Sequence, residues 1–428
     1  MTTRIKKTIA ILVLSALSSL ALADDAPTRV GRVSLTQGQV SIDDDEGEQA
    51  TGALLNWPVT SQNRISTGRD GRAEFRVGST SVRLGPDTAL EIIQLDDDSL
   101  RLNLRYGSVN LRVRNAEVVD GFELTTPEGT LRLQQPGRFR IDAGRQANTS
   151  VVNVFDGVAL LDGGGGARLI VRAGKRAELR GDEVFTGVAA RDSFDDWSLQ
   201  RDQRDENSIS AQYVTSEMTG YEELDQNGVW RDDAEYGPLW IPRNVGYDWA
   251  PYRDGRWTYV SPWGWTWVDN APWGYAPFHY GRWVQVNQRW AWAPGRNSGR
   301  PVWSPALVGW VGGTNWAVNF GTGGSRPAQG WYPLAPHDRY VPTYGMSRNH
   351  LDWVNKHAWN DNRGGVSPNY RQNGVTVVPN DHFGRRGTIE VRNEPKTVGR
   401  AINLVAAQLA PAAPSLPANG RRNNEQRN

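Results

Sequence analysis

The chain reads Tyr247-Asp-Trp-Ala-Pro-Tyr-Arg-Asp-Gly-Arg-Trp257 and, 26 residues later, Trp273-Gly-Tyr-Ala-Pro-Phe-His-Tyr-Gly-Arg-Trp283. Ala-Pro and Gly-Arg-Trp are identical in the two copies, and aromatic residues stand opposite aromatic residues between them. An upstream copy aligns Gly228, Trp230 and Trp240 with the first copy at a shift of 27 residues. Repeats of this length are typical of one small supersecondary unit that is used several times, each copy covering the apolar face of its neighbour.

The segment around these copies, residues 228–343, contains fifteen of the nineteen tryptophans of the chain. The run Gly255–Val260 is followed by the turn residues Ser261-Pro-Trp-Gly264 and then by Trp265-Thr-Trp-Val268. A Trp-x-Trp spacing places both indoles on one face of a strand, and the frequent prolines keep the strands short. The pattern predicts a Trp-rich domain of β-hairpins in series over residues 228–343.

The tryptophans have two possible roles. They can replace an aliphatic core in a fold without disulfides, or they can form a binding surface for protein or glycan. Fifteen are more than a small core is expected to hide, so we expect several to be partly exposed, and exposed aromatic surface marks binding sites. Indoles stack on sugars, and arginines pair with carboxylates or phosphates. The candidate binding surface consists of Trp257, Trp265, Trp267, Trp283, Trp290, Trp292, Arg282 and Arg289.

The N-terminal residues predict export. Met1–Lys7 is positively charged, Thr8–Leu22 is apolar or small, and Ala21-Leu-Ala23 fits the cleavage rule of secretory signal peptides. We therefore expect a signal peptide at residues 1–23 and no transmembrane segment after its cleavage. The chain has no cysteine, which excludes disulfides, thiol catalysis and thiolate metal sites.

Charge is distributed unevenly along the chain. Residues 24–269 carry 27 basic and 40 acidic groups, a net charge of −13, whereas residues 270–337 contain five arginines and no acidic residue. Residues 385–428 carry eight basic and three acidic groups. The acidic and basic parts can attract each other, or the basic part can face an anionic polymer. We expect no nucleic-acid partner.

Residues 28–190 alternate between apolar and polar side chains. Ala73, Phe75 and Val77 alternate with Glu74 and Arg76, and similar runs recur between glycines. Period two predicts half-buried strands, assembled as a sandwich or a solenoid-like stack.

A charged stretch connects this β domain to the Trp-rich domain. Residues 191–227 contain the run Asp192–Glu206, which has few turn-forming residues and places Phe194 and Trp197 on one face of a helix. The stretch is predicted to be a charged helical connection that packs on a neighbouring domain, with its charged face solvated.

Several motifs of the β domain occur in a characteristic order: Thr67-Gly-Arg-Asp-Gly71, Leu104-Arg-Tyr-Gly-Ser-Val109, Thr126-Pro-Glu-Gly-Thr130, Val152-Asn-Val-Phe-Asp-Gly-Val158 and Val171-Arg-Ala-Gly174. In this order, residues 30–182 resemble the FecR-type periplasmic domain. The chain departs from the family pattern at Gln135-Pro-Gly-Arg-Phe139. The resemblance implies a multi-stranded β scaffold that works by protein contact outside the cytoplasm.

Iron-signalling members of that family relay a signal from an outer-membrane receptor to a sigma factor through a cytoplasmic N-terminal region. Only seven residues precede the apolar run here, so we do not expect the sigma-factor role. Residues 190–380 resemble Trp/Gly/Pro-rich domains of unknown function that follow FecR-like domains in exported bacterial proteins, including Gly374-Val-Thr-Val-Val-Pro379. This second resemblance implies no activity.

The basic tail, residues 344–428, is predicted to be mostly disordered, with a short helix over His350–Trp359 and a strand over Val375–Val378.

Motifs for chemistry are missing from the sequence. The five histidines lack metal-ligand spacing, and neither a GxSxG elbow nor a P-loop occurs. The acidic run Asp43–Glu48 lacks EF-hand spacing. We therefore expect no catalytic residue, no metal and no cofactor.

The sequence predicts an exported, non-enzymatic protein of the Gram-negative envelope, periplasmic or extracellular, which contacts an envelope protein or an anionic polysaccharide or peptidoglycan. The alternative is a glycan-binding adhesin or a glycan-acting enzyme that uses the Trp/Arg-rich domain.

Overall fold

The computed structural model describes residues 25–43, 51–52, 54–295, 299–319, 325–356, 374–379, 389–391 and 409–410. The predicted signal peptide and most of the acidic run at 43–48 lie outside these residues. The chain is mainly β, as predicted. No helix in the described part of the chain has the length and apolar character that a bilayer span requires.

One large hydrogen-bonded sheet occupies residues 31–188 and contains fifteen strands. Its strands are β1 (Gly31–Gln37), β2 (Val40–Asp43), β3 (Thr51–Gly52), β4 (Pro58–Val59), β5 (Arg64–Thr67), β6 (Arg72–Val77), β7 (Thr80–Leu84), β8 (Thr88–Leu95), β9 (Leu100–Val113), β10 (Phe122–Thr126), β11 (Gly129–Gln146), β12 (Thr149–Gly163), β13 (Arg168–Arg172), β14 (Lys175–Arg180) and β15 (Glu183–Val188). Their main order across the sheet is β15-β14-β12-β11-β10-β9-β7-β6-β1-β4. Short 3-10 helices lie between β9 and β10 at Ala116–Val118 and between β12 and β13 at Gly164–Gly166.

The two longest strands, β11 and β12, are bent where the sequence departs from the FecR pattern. The register between them shifts on both sides of Gln135 and again after Arg138. At this bulge the backbones approach so closely that a Cβ on Gly137 would lie 2.0 Å from the Asp156 carbonyl oxygen. Bulges bend a strand and increase its twist. The bend lets one half of β11 pair with β10 and the other half with β9.

The large sheet encloses a core of aliphatic side chains with a few phenylalanines. Ala73, Phe75 and Val77, the apolar residues of the predicted alternation, all lie in this core with no more than 2% of their surface exposed. The polar side chains between them behave differently from the prediction, because Glu74 and Arg76 are buried as well. The prediction of half-buried strands is therefore wrong for this part of the sheet. Both of its faces are buried here, the inner face in the core and the outer face beneath another element.

The cover is helix α1 (Ser193–Glu206), which confirms the predicted helix. Asp192 caps it by accepting hydrogen bonds from the amides of Phe194 and Asp195, and the Asp195 side chain accepts one from the Asp192 amide, so that the two form a capping box. Phe194 is buried and stacks on Trp197 with ring centroids 5.7 Å apart. The sequence also predicted that the charged face of α1 is solvated. This prediction is wrong, because that face lies on the sheet.

Short elements lead from α1 into the Trp-rich domain: 3-10 helices at Ile209–Gln212 and Tyr221–Glu223, and helix α2 (Leu224–Asn227). Four antiparallel hairpins follow, with helix α3 (Ala276–His279) after the second. The hairpin strands are β16 (Gly228–Asp233) with β17 (Gly237–Pro242), β18 (Gly255–Val260) with β19 (Gly264–Asp269), β20 (Arg282–Val286) with β21 (Arg289–Ala293), and β22 (Val308–Asn319) with β23 (Ser325–Pro333). The predicted series of hairpins is confirmed.

Each hairpin places one tryptophan directly opposite another. The pairs are Trp230 with Trp240, Trp257 with Trp267, Trp283 with Trp292, and Trp310 with Trp331. The first and third hairpins join into one four-stranded sheet through Trp240 opposite Trp292. The repeat recognised in the sequence is thus a hairpin with a cross-strand tryptophan pair, and the fourth copy was not recognised there.

The described parts of the tail from residue 344 contain the helix and the strand that the sequence predicted there, together with two further short strands. Helix α4 (Arg348–Lys356) and strand β24 (Thr376–Pro379) form where a helix and a strand were expected, and β24 pairs with β23. Strand β25 (Ile389–Val391) pairs with β18, and β26 (Leu409–Ala410) pairs with β22. These segments complete the sheets of the Trp-rich domain, which explains why they are ordered. The rest of 395–428 lies outside the described residues.

A substitution in β24 tests whether this strand contributes to the fold. Val377 is fully buried between β23 and the apolar cluster beneath it. Val377→Ala should lower the free energy of unfolding of the full chain by about 2 kcal/mol, because two methyl groups leave a packed core. Val341→Ala, at a side chain that is 61% exposed, is the control and should change it by less than about 0.5 kcal/mol. Equal effects of the two substitutions, measured by urea unfolding, would mean that β24 adds nothing to the fold.

Candidate functional site

The structure places the predicted binding surface in the interior. Trp257, Trp265, Trp267, Trp283, Trp290 and Trp292 expose between 0% and 6% of their surface and belong to one apolar cluster. Of the other tryptophans in residues 228–343, those at 240, 263, 273, 303 and 331 are also buried, and those at 230, 249 and 310 are half-buried. The six candidates are therefore core residues, and the expectation of exposed indoles among them is wrong. Ala26 and Val30 near the N-terminus and Val378 of β24 belong to the same cluster, so segments outside residues 228–343 help to cover these indoles.

Several indole nitrogens of this core donate to backbone carbonyl oxygens, whereas the buried Nε1 of Trp257 has no hydrogen-bond partner among the described residues. Trp283 donates to the Pro277 carbonyl oxygen at 2.9 Å, Trp292 to Tyr280 O at 2.9 Å, and Trp331 to Tyr252 O at 2.8 Å. Ring pairs within the cluster are mostly edge-on or tilted, as for Trp257 on Trp267 at 5.3 Å. Both features are favourable for buried aromatic side chains, since the polar N–H finds a partner and the ring edge meets a ring face.

The two candidate arginines lie apart. Arg282 is buried, and its guanidinium donates to the carbonyl oxygens of Gly281 and Val354 at 2.9 and 3.3 Å. Burial lowers the pKa of Arg282 to about 10, so it remains charged at neutral pH. Arg289 is exposed at the opposite end of the same hairpin, opposite Val286. The structure therefore does not bring the arginines together beside exposed indoles.

A different polar site was missed in the sequence: a set of buried ion pairs between α1 and the outer face of the large sheet. We call Glu74, Arg76, Arg83, Arg201, Asp202 and Asp205 the α1 seam. Glu74 is its centre, because its carboxylate accepts from Arg83 at 2.6 Å, from Arg76 at 2.8 Å and from Arg201 at 2.8 Å. Arg83 also pairs with Asp202 at 2.7 Å, and Arg76 pairs with Asp205.

The α1 seam shifts the pKa values of its members. Burial by itself would raise the pKa of the Glu74 carboxyl, but Arg76 and Arg83 hold that pKa well below its usual value. Burial likewise would lower the pKa of Arg76, and Glu74, Glu222 and Asp205 together raise it well above its usual value. Glu74 and Arg76 are therefore both charged at neutral pH. They hold the helix on the sheet by directed, charge-assisted hydrogen bonds.

The seam continues into a polar interface between the two domains. Arg32 of β1 donates to Glu222 at 3.1 Å and to the Pro272 carbonyl oxygen at 2.7 Å. Asn56 accepts from Arg32 at 2.9 Å and donates to the carbonyl oxygens of Asp269 and Ala271 at 2.9 and 2.7 Å. We call Arg32, Asn56, Glu222 and the turn at 269–272 the domain interface. Arg32, Asn56 and Glu222 expose at most 5% of their surface.

The N-terminal segment also crosses between the domains. Ala26 and Val30 are buried in the tryptophan cluster. Trp263 donates its indole N–H to the Pro27 carbonyl oxygen at 3.2 Å, and the Tyr275 hydroxyl donates to Gly31 O at 2.8 Å. The segment then continues directly into β1, so the same stretch of chain packs in both domains.

Two buried titratable groups lie at or near the domain interface. Burial raises the pKa of Asp269 to about 8, although its carboxyl oxygens accept hydrogen bonds from the Ala271 amide at 2.9 Å and the Trp267 indole at 3.0 Å. Burial lowers the pKa of His279 to about 3, so this histidine is neutral. Its Nδ1 donates to the Ser304 carbonyl oxygen at 2.8 Å. Within the described ranges, no three His, Asp or Glu side chains converge as a metal ion requires.

Asp269 gives a pH prediction. Its folded-state pKa is above its unfolded value of about 4, so its contribution to stability is present below pH 4 and is lost as pH rises towards 8. Asp269→Asn should therefore reduce the fall in the free energy of unfolding between pH 5 and pH 8. Asp120→Asn, at an exposed carboxyl group, is the control and should leave that slope unchanged. Parallel slopes for wild type and Asp269→Asn, measured by urea unfolding, would show that Asp269 is already ionised in the folded protein.

Two family models each match one part of the chain. A family model described as FecR protein matches residues 63–160, and a model described as a family of unknown function, DUF6600, matches residues 221–338. The first match covers β5 to most of β12, and the second runs from the 3-10 helix at Tyr221–Glu223 to just beyond the fourth hairpin. No curated protein matches the chain.

Two solved structures of a protein described as an anti-sigma factor from Parabacteroides distasonis share 15% and 14% identity with the chain, each with a TM-score of 0.28. Each alignment covers 32% of this chain, and this chain spans 63% and 64% of the length of those two chains. Both resemblances expected from the sequence are confirmed by the family models: the chain contains a FecR domain followed by a domain of the DUF6600 family of unknown function.

Proposed function

We propose that the chain is an exported, non-enzymatic scaffold of the Gram-negative cell envelope in which the FecR and Trp-rich domains act as one rigid body. The domain interface is the observation that carries this proposal. Arg32 and Asn56 together make five hydrogen bonds within it, to each other, to Glu222 and to three carbonyl oxygens of the turn at 269–272. Buried hydrogen bonds that join two parts of a chain favour one arrangement of those parts. A fixed arrangement suits a protein whose role is to present surfaces.

Export is supported by the signal-peptide pattern at residues 1–23. The match to the FecR family also supports it, because that resemblance implies a domain that works outside the cytoplasm. A protein of the envelope is the partner we propose. The competing partner, an anionic polysaccharide or peptidoglycan, was inferred from the basic part of the chain and from the surface of tryptophans and arginines that was predicted for protein or glycan contact. Burial of the six candidate tryptophans and of Arg282 removes that surface for either partner, so the protein partner rests on the FecR resemblance, which implies a scaffold that works by protein contact.

The experiment uses the full chain with a C-terminal tag, expressed in a Gram-negative host. The mature protein is purified, its N-terminus is sequenced, and material cross-linked to it in the intact envelope is identified. We expect a mature N-terminus at Asp24 and a specific cross-linked protein. Asn56→Ala should reduce the yield of that partner, whereas Arg101→Ala, at an exposed site of β9, should not.

Two outcomes would contradict the proposal. Retention of Met1 in a membrane fraction would indicate an anchored protein. Recovery of peptidoglycan or polysaccharide in place of a protein, or hydrolysis of either by the purified chain, would favour the glycan-binding or glycan-acting alternative.

A further inference from the structure

Helix α1 leaves part of the polar outer face of the large sheet uncovered. Next to its N-terminus, the adjacent strands β11, β12 and β14 form an open groove of about 310 Å³. Sites for small ligands have volumes of roughly 300–1,000 Å³. Its lining includes Asp142, Arg145, Thr149, Val151, Asn153 and Arg176.

Asn153 is the most unusual of these side chains. It stands on β12 directly between Arg140 of β11 and Arg176 of β14 and exposes only 7% of its surface. Its Oδ1 atom is buried and has no hydrogen-bond partner among the described residues. Buried polar atoms in folded proteins are almost always paired. A ligand that supplies an N–H group to the groove would complete the hydrogen bonding of this amide.

Arg145 supplies a positive charge that is held in place. Its guanidinium donates to the Ser108 hydroxyl at 3.0 Å and to the Pro86 carbonyl oxygen. Within the described part of the chain it forms no ion pair, whereas the neighbouring Asp142 is already paired with Arg140 at 2.8 Å. An arginine oriented by neutral acceptors retains donors for an incoming carboxylate, which it binds strongly and with defined geometry.

The remaining groups fit the same ligand. Arg176 lies across the groove and is paired with Glu178, a carboxylate that it shares with Arg180. Val151 is half-buried between the polar residues and offers a small apolar contact. Together the groove presents one hydrogen-bond acceptor, one unpaired cation and one aliphatic side chain.

We propose that this groove binds a small molecule in which a carboxylate stands next to an amide, as at the C-terminal end of a peptide. The carboxylate pairs with Arg145, the amide N–H donates to Asn153 Oδ1, and an aliphatic side chain of the ligand contacts Val151. The site belongs to the FecR domain and does not depend on the proposed scaffold function.

Isothermal titration of the full chain tests the site with two probes, N-acetyl-alanyl-alanine and its C-terminal amide. The acid should bind about tenfold more tightly than the amide, because only the acid carries the charge that Arg145 recognises. Arg145→Gln should remove this preference. Arg101→Gln, which removes an exposed arginine on β9 away from the groove, is the matched control and should retain it.

Asn153→Leu separates the second contact. It should weaken the binding of acid and amide by a similar factor while leaving the preference for the acid in place. If Asn153→Leu lowers the melting temperature, its weaker binding is not counted, and the proposal is judged from the acid-over-amide preference of Arg145→Gln, a variant at an exposed site. Equal affinity for acid and amide, an unchanged preference in Arg145→Gln, or no binding of either probe at millimolar concentration would each overturn the proposal.

Discussion

Trp292→Ala should lower the free energy of unfolding of the full chain by about 3–5 kcal/mol. The side chain is fully buried, stands opposite both Trp240 and Trp283, and donates its indole N–H to Tyr280 O at 2.9 Å. Alanine at this position leaves a cavity where two hairpins meet and leaves a carbonyl oxygen without its donor. Urea unfolding followed by circular dichroism measures the loss.

Arg289→Ala is the matched control, because Arg289 is exposed on the same strand and was a candidate binding residue. Its effect on stability should stay within about 0.5 kcal/mol. Co-sedimentation with envelope material gives a second measurement on both variants. If Trp292→Ala unfolds at the same urea concentration as wild type yet loses binding, Trp292 is a surface residue and the assignment to the core is wrong.

Glu74→Gln should also lower the free energy of unfolding by about 3–5 kcal/mol, for an electrostatic reason. The carboxylate of Glu74 is fully buried and contacts Arg76, Arg83 and Arg201 within 2.6–2.8 Å. Glutamine keeps the shape and removes the charge, so the guanidinium groups of Arg76, Arg83 and Arg201 lose their shared counter-ion. Glu123→Gln is the control. Its ion pair with Arg132 at 2.7 Å is partly exposed, and its loss should cost less than about 1 kcal/mol.

The same substitution has a pH dependence of known sign. The folded-state pKa of Glu74 is well below its unfolded value of about 4.3, so its contribution to stability is present above pH 4.3 and is lost as pH falls further. The difference in stability between wild type and Glu74→Gln should therefore be constant near neutrality and shrink below about pH 4. A difference that is as small as that of Glu123→Gln at pH 7 would show that the α1 seam does not hold the helix.

Hairpins of the Trp-rich domain could be predicted because their determinants are local. The Trp-x-Trp spacing fixes which side chains share a face, and Pro/Gly turns fix where the strand reverses, so three hairpins follow from the sequence. The fourth was missed because the segment between Trp310 and Trp331 is longer than in the other copies, which hides the alignment of this pair.

The burial of the outer face of the large sheet and of the charged face of α1 could not be predicted. Alternation of apolar and polar residues shows only that the two faces of a strand differ in polarity. Glu74 and Arg76 look like solvent-facing residues of a half-buried strand, and Asp202 and Asp205 look like the solvated face of a helix. Complementary charge from residues more than 100 positions apart brings these two faces together, and no local pattern encodes that contact. The burial of the tryptophans has the same origin, since the N-terminal segment and tail strands that cover them are distant in sequence.

Scanning calorimetry of the full chain tests the central claim most directly, namely that the domain interface and the α1 seam unite the two domains. A single transition is predicted, with equal calorimetric and van't Hoff enthalpies, because the buried contacts of Arg32, Asn56 and Glu222 prevent either domain from unfolding by itself. Two separate transitions, one for the FecR domain and one for the Trp-rich domain, would contradict it.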